Sequence, residues 1–331
     1  MTHAALLAGL ASLVAPLLAA PLGAPTQETP APQREAVAAP AAPSASRMES
    51  LRHDAKLLGT TLNVAVYLPP GYDESGERYP VLYFLHGLWG NAGKWAERGT
   101  PATLDALIAE NKVPPMIVVC PDGQNSMYVN ALETKAPWGD FLATELVETI
   151  DAKYRTVADR AARGINGDSM GGYGALNVAF KHPTVFGSVS AHSAAIYPVD
   201  PTQLPDRIKQ FAPQWKPVYG WPIDVDHWKA WNPLELAATL PVETLASLEI
   251  YFDCGDKDRY GFDKTNAQLH EILEGRKVAH QWHLRSGGHG RDYFSEYVPE
   301  SLVFHGAAFD RAAAEGSKRS APAKGAARRE N

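Results

Sequence analysis

Apolar residues follow two different periods along this chain. Short runs of consecutive apolar residues, such as Tyr79–Leu85 and Met116–Cys120, are typical of strands that are buried on both faces of a parallel sheet. Other stretches carry apolar residues at helical spacing. The clearest of these is Trp138–Tyr154, where every fourth residue from Leu142 to Tyr154 is apolar. Strands that alternate with helices predict an α/β fold, with a mostly parallel central sheet flanked by helices.

The same patterns predict the other elements. The predicted strands are Leu57–Leu68 (one or two antiparallel strands), Tyr79–Leu85, Pro114–Cys120, a short strand that begins near Arg163, Phe186–Ser190, Leu248–Phe252 and Val278–Leu284. The predicted helices are Thr103–Asn111, Trp138–Tyr154, Tyr173–Lys181 and Asn266–Glu274.

The segment Tyr197–Thr244 interrupts this alternation. It contains several prolines and four tryptophans, at positions 215, 221, 228 and 231. Two interpretations stay open. One is a surface excursion whose tryptophans form a small separate core, the other is a cap that walls a site, and we favour a mixture of the two.

Composition divides the 331 residues into four parts. Residues 1–24 are apolar, alanine-rich and interrupted by Pro16, and no Lys or Arg precedes the apolar stretch. This composition predicts a signal peptide, and therefore a secreted or periplasmic protein. Residues 25–46 are rich in Pro and Ala and predict a disordered linker. Residues 47–312 suit one α/β domain, and residues 313–331 predict a flexible basic tail. We expect no transmembrane segment in the mature chain, and a net charge of −6 gives no indication of nucleic-acid binding.

Cys120 and Cys254 are the only cysteines. Each ends an apolar run that contains a predicted strand, and in a sheet of this type several strands would separate the two. Strands lie about 4.8 Å apart, whereas a disulfide needs Cα atoms within about 7 Å, so we expect two buried free thiols. Neither cysteine has partners at the spacing of a zinc site, and we expect no metal or cofactor.

The main chemical signal is Gly167-Asp-Ser-Met-Gly171, which has the G-x-S-x-G pattern of a nucleophile elbow. It lies between a short apolar entry and a predicted helix, which is the strand–turn–helix context that such a turn requires. The tight turn would hold the hydroxyl of Ser169 clear of the sheet and direct the N–H of Met170 to the same point. The pattern therefore predicts Ser169 as a nucleophile.

A second glycine turn follows the strand Tyr79–Leu85. Gly87 would let the chain turn sharply at the carboxyl end of that strand, where open α/β sheets bind ligands. The N–H of Leu88 would then point into the site and, with the N–H of Met170, form an oxyanion hole. His86 directly follows the strand, and we interpret it as structural. Trp89, Asp168 and His192 are candidate substrate contacts.

The general base and its carboxylate are predicted from strand ends. His289 lies on the glycine-rich loop that follows the last predicted strand. Asp253, Asp256 and Asp258 follow the strand before it. We favour Asp258 because it lies three residues beyond Gly255, where the chain can turn back toward the histidine loop. The order Ser169, Asp258, His289 is that of α/β-hydrolases.

With these motifs the chain resembles the putative-esterase (esterase D-like) family of α/β-hydrolases over about residues 50–305. This family includes feruloyl and acetyl-xylan esterases, S-formylglutathione hydrolases, enterochelin esterases and mycolyltransferases. The motifs that carry the resemblance are Val66–Tyr72, Tyr79–Gly87, Pro121–Gly123, Gly167–Leu176, Gly255–Asp258 and Gly287–His289. The resemblance implies Ser169 as nucleophile, His289 as base, Asp258 as acid and the N–H groups of Leu88 and Met170 as oxyanion donors.

The function predicted from the sequence is an exported serine carboxylic ester hydrolase. Its expected partners are small-molecule or glycan esters with short or aromatic acyl groups. Three alternatives stay open: an acyltransferase to a sugar hydroxyl, a thioesterase similar to S-formylglutathione hydrolase, and a non-catalytic binding protein on a hydrolase scaffold. The sequence does not fix the oligomeric state.

Overall fold

The computed structural model describes residues 44–320. Within this range, eight strands form one sheet in the order β1-β2-β4-β3-β5-β6-β7-β8. The strands are β1 Arg47–Ala55, β2 Thr60–Leu68, β3 Val81–Leu85, β4 Ile117–Pro121, β5 Arg163–Asp168, β6 Ser188–His192, β7 Glu249–Gly255 and β8 Gln281–Arg285. The pairs β1–β2 and β2–β4 are antiparallel, and all other neighbours are parallel. The predicted α/β fold with a mostly parallel sheet is confirmed.

Helices cover both faces of the sheet. They are α1 Tyr72–Ser75, α2 Lys94–Glu97, α3 Thr100–Ala109, α4 Trp138–Ala143, α5 Glu145–Lys153, α6 Met170–Lys181, α7 Asp206–Lys209, α8 Ala212–Tyr219, α9 Val225–Ala230, α10 Pro233–Thr239, α11 Val242–Ala246, α12 Phe262–Gly275 and α13 Arg291–Ser320. Short 3-10 turns occupy Lys56–Leu58, Arg160–Ala162 and Pro201–Gln203. None of the helices within residues 44–320 combines the length and the apolar character that crossing a bilayer requires.

The central strand β3 shows how the two faces form. Val81, Tyr83 and Leu85 belong to a core shared with residues of α4, α5, α6 and α12. Leu82 and Phe84 belong to a second core, shared with residues of α3 and α13. Because successive side chains of a strand point to opposite faces, a continuous apolar run places apolar side chains in both cores.

Several predicted boundaries are corrected. The predicted helix 138–154 is two helices, α4 and α5, because the backbone leaves the helical region at Thr144 (φ −124°, ψ −85°). Strand β1 was missed, and β6 runs two residues further than predicted, to His192. Helix α13 continues to Ser320, so the first residues of the predicted tail are helical.

The predicted signal peptide and all of the predicted linker before Ser44 lie outside the described residues, as does the tail beyond Ser320. The last linker residues contact the domain. The Ser44 hydroxyl donates to Glu74 and the Ser46 hydroxyl donates to Asp105, at 2.9 and 2.7 Å. Cys120 and Cys254 are buried free thiols, as predicted, and burial raises the pKa of both.

The start of α6 lies against the backbone of β3. A Cβ atom added to Gly171 would lie 1.9 Å from the carbonyl oxygen of Leu85, and a Cβ atom added to Gly167 would lie 2.3 Å from the backbone of Gly171. Both distances are far below van der Waals contact. The turn between β5 and α6 therefore requires glycine at both positions.

Replacement of Gly171 tests this requirement. We expect Gly171→Ala to lower the free energy of unfolding by about 2–3 kcal/mol, because the backbone of β3 has to move to admit the methyl group. Urea denaturation measures the change. The matched control is Gly275→Ala in α12, where an added Cβ meets no atom within 4 Å, and we expect it to change stability by less than about 1 kcal/mol. Equal stability of the two variants would contradict the steric explanation.

Candidate active site

Ser169 lies in the turn between β5 and α6, in the centre of the sheet. Its backbone has φ 54° and ψ −114°, a conformation that non-glycine residues rarely adopt. Neighbouring backbone groups hold it there. The Ser169 N–H donates to the carbonyl of His192 at 2.9 Å, and the Ser169 carbonyl accepts from the N–H of Ala195 at 2.9 Å. The strained turn exposes the hydroxyl at the carboxyl ends of the strands.

The structure brings Ser169, His289 and Asp258 together in one hydrogen-bonded series. Nε2 of His289 lies 3.0 Å from Oγ of Ser169, and Nδ1 of His289 lies 2.7 Å from Oδ2 of Asp258. A carboxylate can only accept, so Nδ1 carries the ring proton. Nε2 of the neutral ring is then the acceptor for the serine hydroxyl. This arrangement can remove the hydroxyl proton as Ser169 attacks a substrate.

The three candidate carboxylates make different contacts. Asp258 is buried, and its Oδ1 also accepts the N–H of Tyr260 at 2.8 Å. Asp256 is exposed and accepts the N–H of Gly287, at 2.9 Å. Asp253 is fully buried in the sheet, where it contacts His192 and Tyr293. Of the three, only Asp258 contacts the ring of His289.

Three aromatic rings surround the imidazole of His289. Tyr260, Phe262 and Phe294 lie with ring centroids 4.9, 5.6 and 5.4 Å from it, and all three meet it edge to face. With Nδ1 bound to Asp258, these contacts leave the ring few alternative orientations.

The two predicted oxyanion donors lie beside Ser169. Leu88 and Met170 line the same cavity as Ser169 and His289. Gly87 approaches the nucleophile so closely that an added Cβ would lie 3.5 Å from the Cβ of Ser169. Met170 is the first residue of α6, so its N–H has no acceptor inside the helix. The N–H of Leu88 donates to no protein group within residues 44–320.

The candidate site opens into a cavity of about 220 Å³. Six aromatic residues contribute to its wall: Trp89, Tyr197, Phe211, Tyr260, Phe262 and Phe294. Trp89 is 59% exposed, and its ring lies 5.7 Å from the ring of Phe211, centroid to centroid. The predicted candidate Trp89 is therefore at the cavity and available to a ligand.

Two predicted substrate contacts are corrected. His192 is fully buried because β6 continues through it. Its Nδ1 lies 2.7 Å from Asp253 and its Nε2 lies 2.8 Å from Ser301. Asp168 is also fully buried, and its carboxylate forms an ion pair with Arg98. Neither residue lines the cavity.

The Trp-rich segment combines core packing with a wall of the cavity, as the favoured mixture predicts, although its tryptophans join the main core and not a separate one. Trp215, Trp228 and Trp231 are buried in the main core, and Trp221 is exposed but lies away from the cavity. The segment reaches the cavity through Tyr197 and Phe211 instead. It walls the site, but not with its tryptophans.

His86 has a structural environment, as predicted. It is buried, its Nδ1 lies 2.8 Å from the carbonyl of Gly87, and its Nε2 accepts the N–H of Gly123 at 2.9 Å. Both ring nitrogens are thus occupied by the backbone, and the ring fixes the loop that carries Leu88.

Sequence reasoning missed two charged residues that line the cavity, Arg98 and Arg259. Arg259 directly follows the candidate acid, and that position could have identified it. Arg98 belongs to no motif, and nothing in the sequence near it signals its position.

Comparison with known proteins gives a consistent picture. The family described as "Putative esterase" matches residues 55–305 of the chain. Esterase Rv1288 of Mycobacterium tuberculosis (strain H37Rv) is 28% identical over 277 residues, which are 73% of this chain and 56% of that protein. An endo-1,4-beta-xylanase/feruloyl esterase of Xylanibacter ruminicola is 34% identical over 152 residues, which are 44% of this chain and 21% of that protein. The chain thus spans about half or less of the length of these curated relatives.

A solved ferulic acid esterase has the same fold. The two structures superpose with a TM-score of 0.69 at 26% identity, over 80% of this chain and all of the other. This similarity confirms the α/β-hydrolase fold. Because the family match covers residues 55–305, well over half of the sequence, the chain belongs to the putative-esterase family of α/β-hydrolases.

Proposed function

We propose that the protein is an exported serine esterase that hydrolyses carboxylic esters through Ser169, His289 and Asp258. The observation that carries the proposal is the continuous series from Asp258 through His289 to Ser169, with contacts of 2.7 and 3.0 Å, at the wall of an open cavity. Family membership gives independent support for ester hydrolysis. Export rests on the amino-terminal sequence pattern alone.

The proposed reaction has two steps. His289 takes the proton of Ser169 as Oγ attacks the ester carbonyl, and the carbonyl oxygen, now an oxyanion, accepts hydrogen bonds from the N–H groups of Leu88 and Met170. His289 then gives the proton to the departing alcohol. Water, activated by His289 in the same way, releases the acid from the acyl-enzyme, while Asp258 stabilises the charged imidazole throughout.

The cavity wall favours compact or aromatic acyl groups. Flat rings such as those of Trp89, Phe211 and Tyr260 offer surfaces for stacking against a cinnamoyl group or a sugar ring. The aliphatic residues that line the cavity are limited to Leu88, Met127, Met170 and Ala195. We therefore propose short-acyl or aromatic-acyl esters of carbohydrates as the substrate class, ahead of long-chain lipids.

The nucleophile is tested by Ser169→Ala. We expect this change to lower turnover of p-nitrophenyl acetate by several orders of magnitude, on the order of 10⁶-fold, because no other group replaces the attacking hydroxyl. An unchanged thermal midpoint would show that the variant is folded, and a fluorophosphonate probe should label the wild type alone. A variant that keeps more than about a tenth of the wild-type rate would refute the assignment.

The carboxylate is tested by a matched pair of variants. Asp258→Asn should reduce kcat by up to about 10⁴-fold, because an amide at this position favours the wrong tautomer of His289. Asp256→Asn keeps a carbonyl oxygen for the N–H of Gly287 and should retain most of the activity. Steady-state kinetics of both variants show which carboxylate supports His289. A larger loss of kcat in Asp256→Asn than in Asp258→Asn would mean that Asp256 is the acid.

The substrate class is tested with a series of p-nitrophenyl esters of increasing acyl length, beside methyl ferulate and acetylated xylan. We expect kcat/KM to be highest for short chains and to be measurable on the ferulate or xylan esters. Addition of a sugar acceptor, followed by product analysis, separates hydrolysis from acyl transfer. A kcat/KM that rises steadily beyond eight carbons, with no activity on either carbohydrate-type ester, would contradict the proposal.

A further inference from the structure

The charged residues that line the cavity are all cationic. Arg98 and Arg259 contribute to its wall, whereas no Asp or Glu does. The chain as a whole carries a net charge of −6. The charged side chains of the cavity wall are therefore opposite in sign to the net charge of the whole protein.

Arg98 already has a partner inside the protein. Its side chain is 14% exposed and forms an ion pair with the fully buried carboxylate of Asp168. Its guanidinium also lies 4.9 Å from the centre of the Phe294 ring. Burial, and then the nearby charge of Arg291, lower the pKa of Arg98 to about 10, which leaves it protonated at neutral pH. Its positive charge balances Asp168 and anchors the wall.

Arg259 has no such partner. It is exposed, and within residues 44–320 no carboxylate lies within ion-pair distance of its guanidinium. One N–H donates to the hydroxyl of Tyr260 at 3.0 Å, and the guanidinium carbon lies 4.9 Å from the centre of that ring. Stacking on an aromatic face restricts the guanidinium while leaving most of its donors free.

The position of Arg259 relative to the reacting groups is fixed by its neighbours. It follows Asp258 directly, and Tyr260, on which it stacks, meets the ring of His289 at 4.9 Å. Tyr260 in turn lies 6.0 Å from Phe211, which lies 5.7 Å from Trp89. A ligand held against this aromatic wall would therefore lie beside the guanidinium of Arg259.

We propose that Arg259 determines specificity by binding a carboxylate on the ester substrate. The inference rests on the proposed function and specifies that the substrates are anionic. They would be esters of acidic sugars, or esters whose acyl group carries a second, free carboxylate. A planar guanidinium matches a carboxylate with two parallel N–H···O bonds. Because Arg259 is exposed to solvent, we expect a modest preference, roughly twofold to fivefold in kcat/KM.

The experiment compares esters that differ only in charge. For the alcohol side, the pair is 4-acetoxybenzoate and 4-acetoxybenzamide. For the acyl side, the pair is methyl 4-carboxycinnamate and methyl 4-carbamoylcinnamate. The measured quantity is the ratio of kcat/KM for the anionic and the neutral member, after division by their ratio of non-enzymatic hydrolysis. Any loss common to both members cancels in this ratio.

We expect the wild type to prefer the anionic member of at least one pair, mainly through a lower KM, and the preference to shrink as salt is added. Arg259→Gln should reduce the ratio to about one, and Arg259→Lys should keep part of it. The matched control is Lys257→Gln, which removes a positive charge from the same loop at a residue that does not line the cavity. This control should leave the ratio unchanged.

The inference, but not the proposed function, would be overturned by hydrolysis that depends on Ser169 but shows no anionic preference in either pair, or by a preference that persists in Arg259→Gln. An equal loss of preference in Lys257→Gln would also overturn it, since the effect would then come from the general field of the loop. Absence of hydrolysis that depends on Ser169 would overturn the proposed function and this inference with it.

Discussion

The close approach of the β5–α6 turn to the strand β3 is the constraint on which the site depends. Gly167 and Gly171 allow backbone to meet backbone without side chains between them. The approach lets the strained conformation of Ser169 be held by ordinary hydrogen bonds to β6 and to Ala195. It also places Gly87, and with it Leu88, beside the nucleophile. One steric condition thus aligns the hydroxyl and the candidate oxyanion donors.

The general-base loop depends on a second set of contacts, those of helix α13. Tyr293 donates its hydroxyl to the buried Asp253 at 2.6 Å, and Phe294 packs on the ring of His289. Further along the helix, His305 lies 2.8 Å from both Ser188 and Ser190. Burial lowers the pKa of His305 to about 3, so it is neutral in the folded protein. The helix that follows His289 is therefore fixed to the sheet by directional contacts as well as by apolar packing.

The fold could largely be predicted because its central strands are buried on both faces and read as apolar runs. The positions of Ser169, Asp258 and His289 could be predicted because each follows a strand and two lie in glycine-rich turns. The edge strand β1 could not be predicted, because it is half exposed and carries charged residues along most of its length. The break at Thr144 leaves no mark in the apolar period, which continues through it.

Residues that act at the cavity from outside the motifs were the hardest to predict. Arg98 reaches the site through packing between Phe84 and Phe294, and its neighbours in sequence do not reveal this. The tryptophans of the Tyr197–Thr244 segment suggested a ligand surface, yet three of them are buried in the core. Large aromatic residues signal burial more directly than they signal contact with a ligand.

The buried contacts of His192 show why hydrogen bonding alone does not make a serine reactive. The domain contains two Asp–His–Ser series whose carboxylates are five residues apart in sequence, one from Asp258 to Ser169 and one from Asp253 through His192 to Ser301. Their distances are nearly the same. Ser301, however, is fully buried, and its hydroxyl also contacts Asn166 and the carbonyl of Val298. No carbonyl can approach it. The same side-chain chemistry is therefore a buried link between the sheet and α13 in one case and a candidate active site at the carboxyl ends of the strands in the other, and access to solvent is what separates the two.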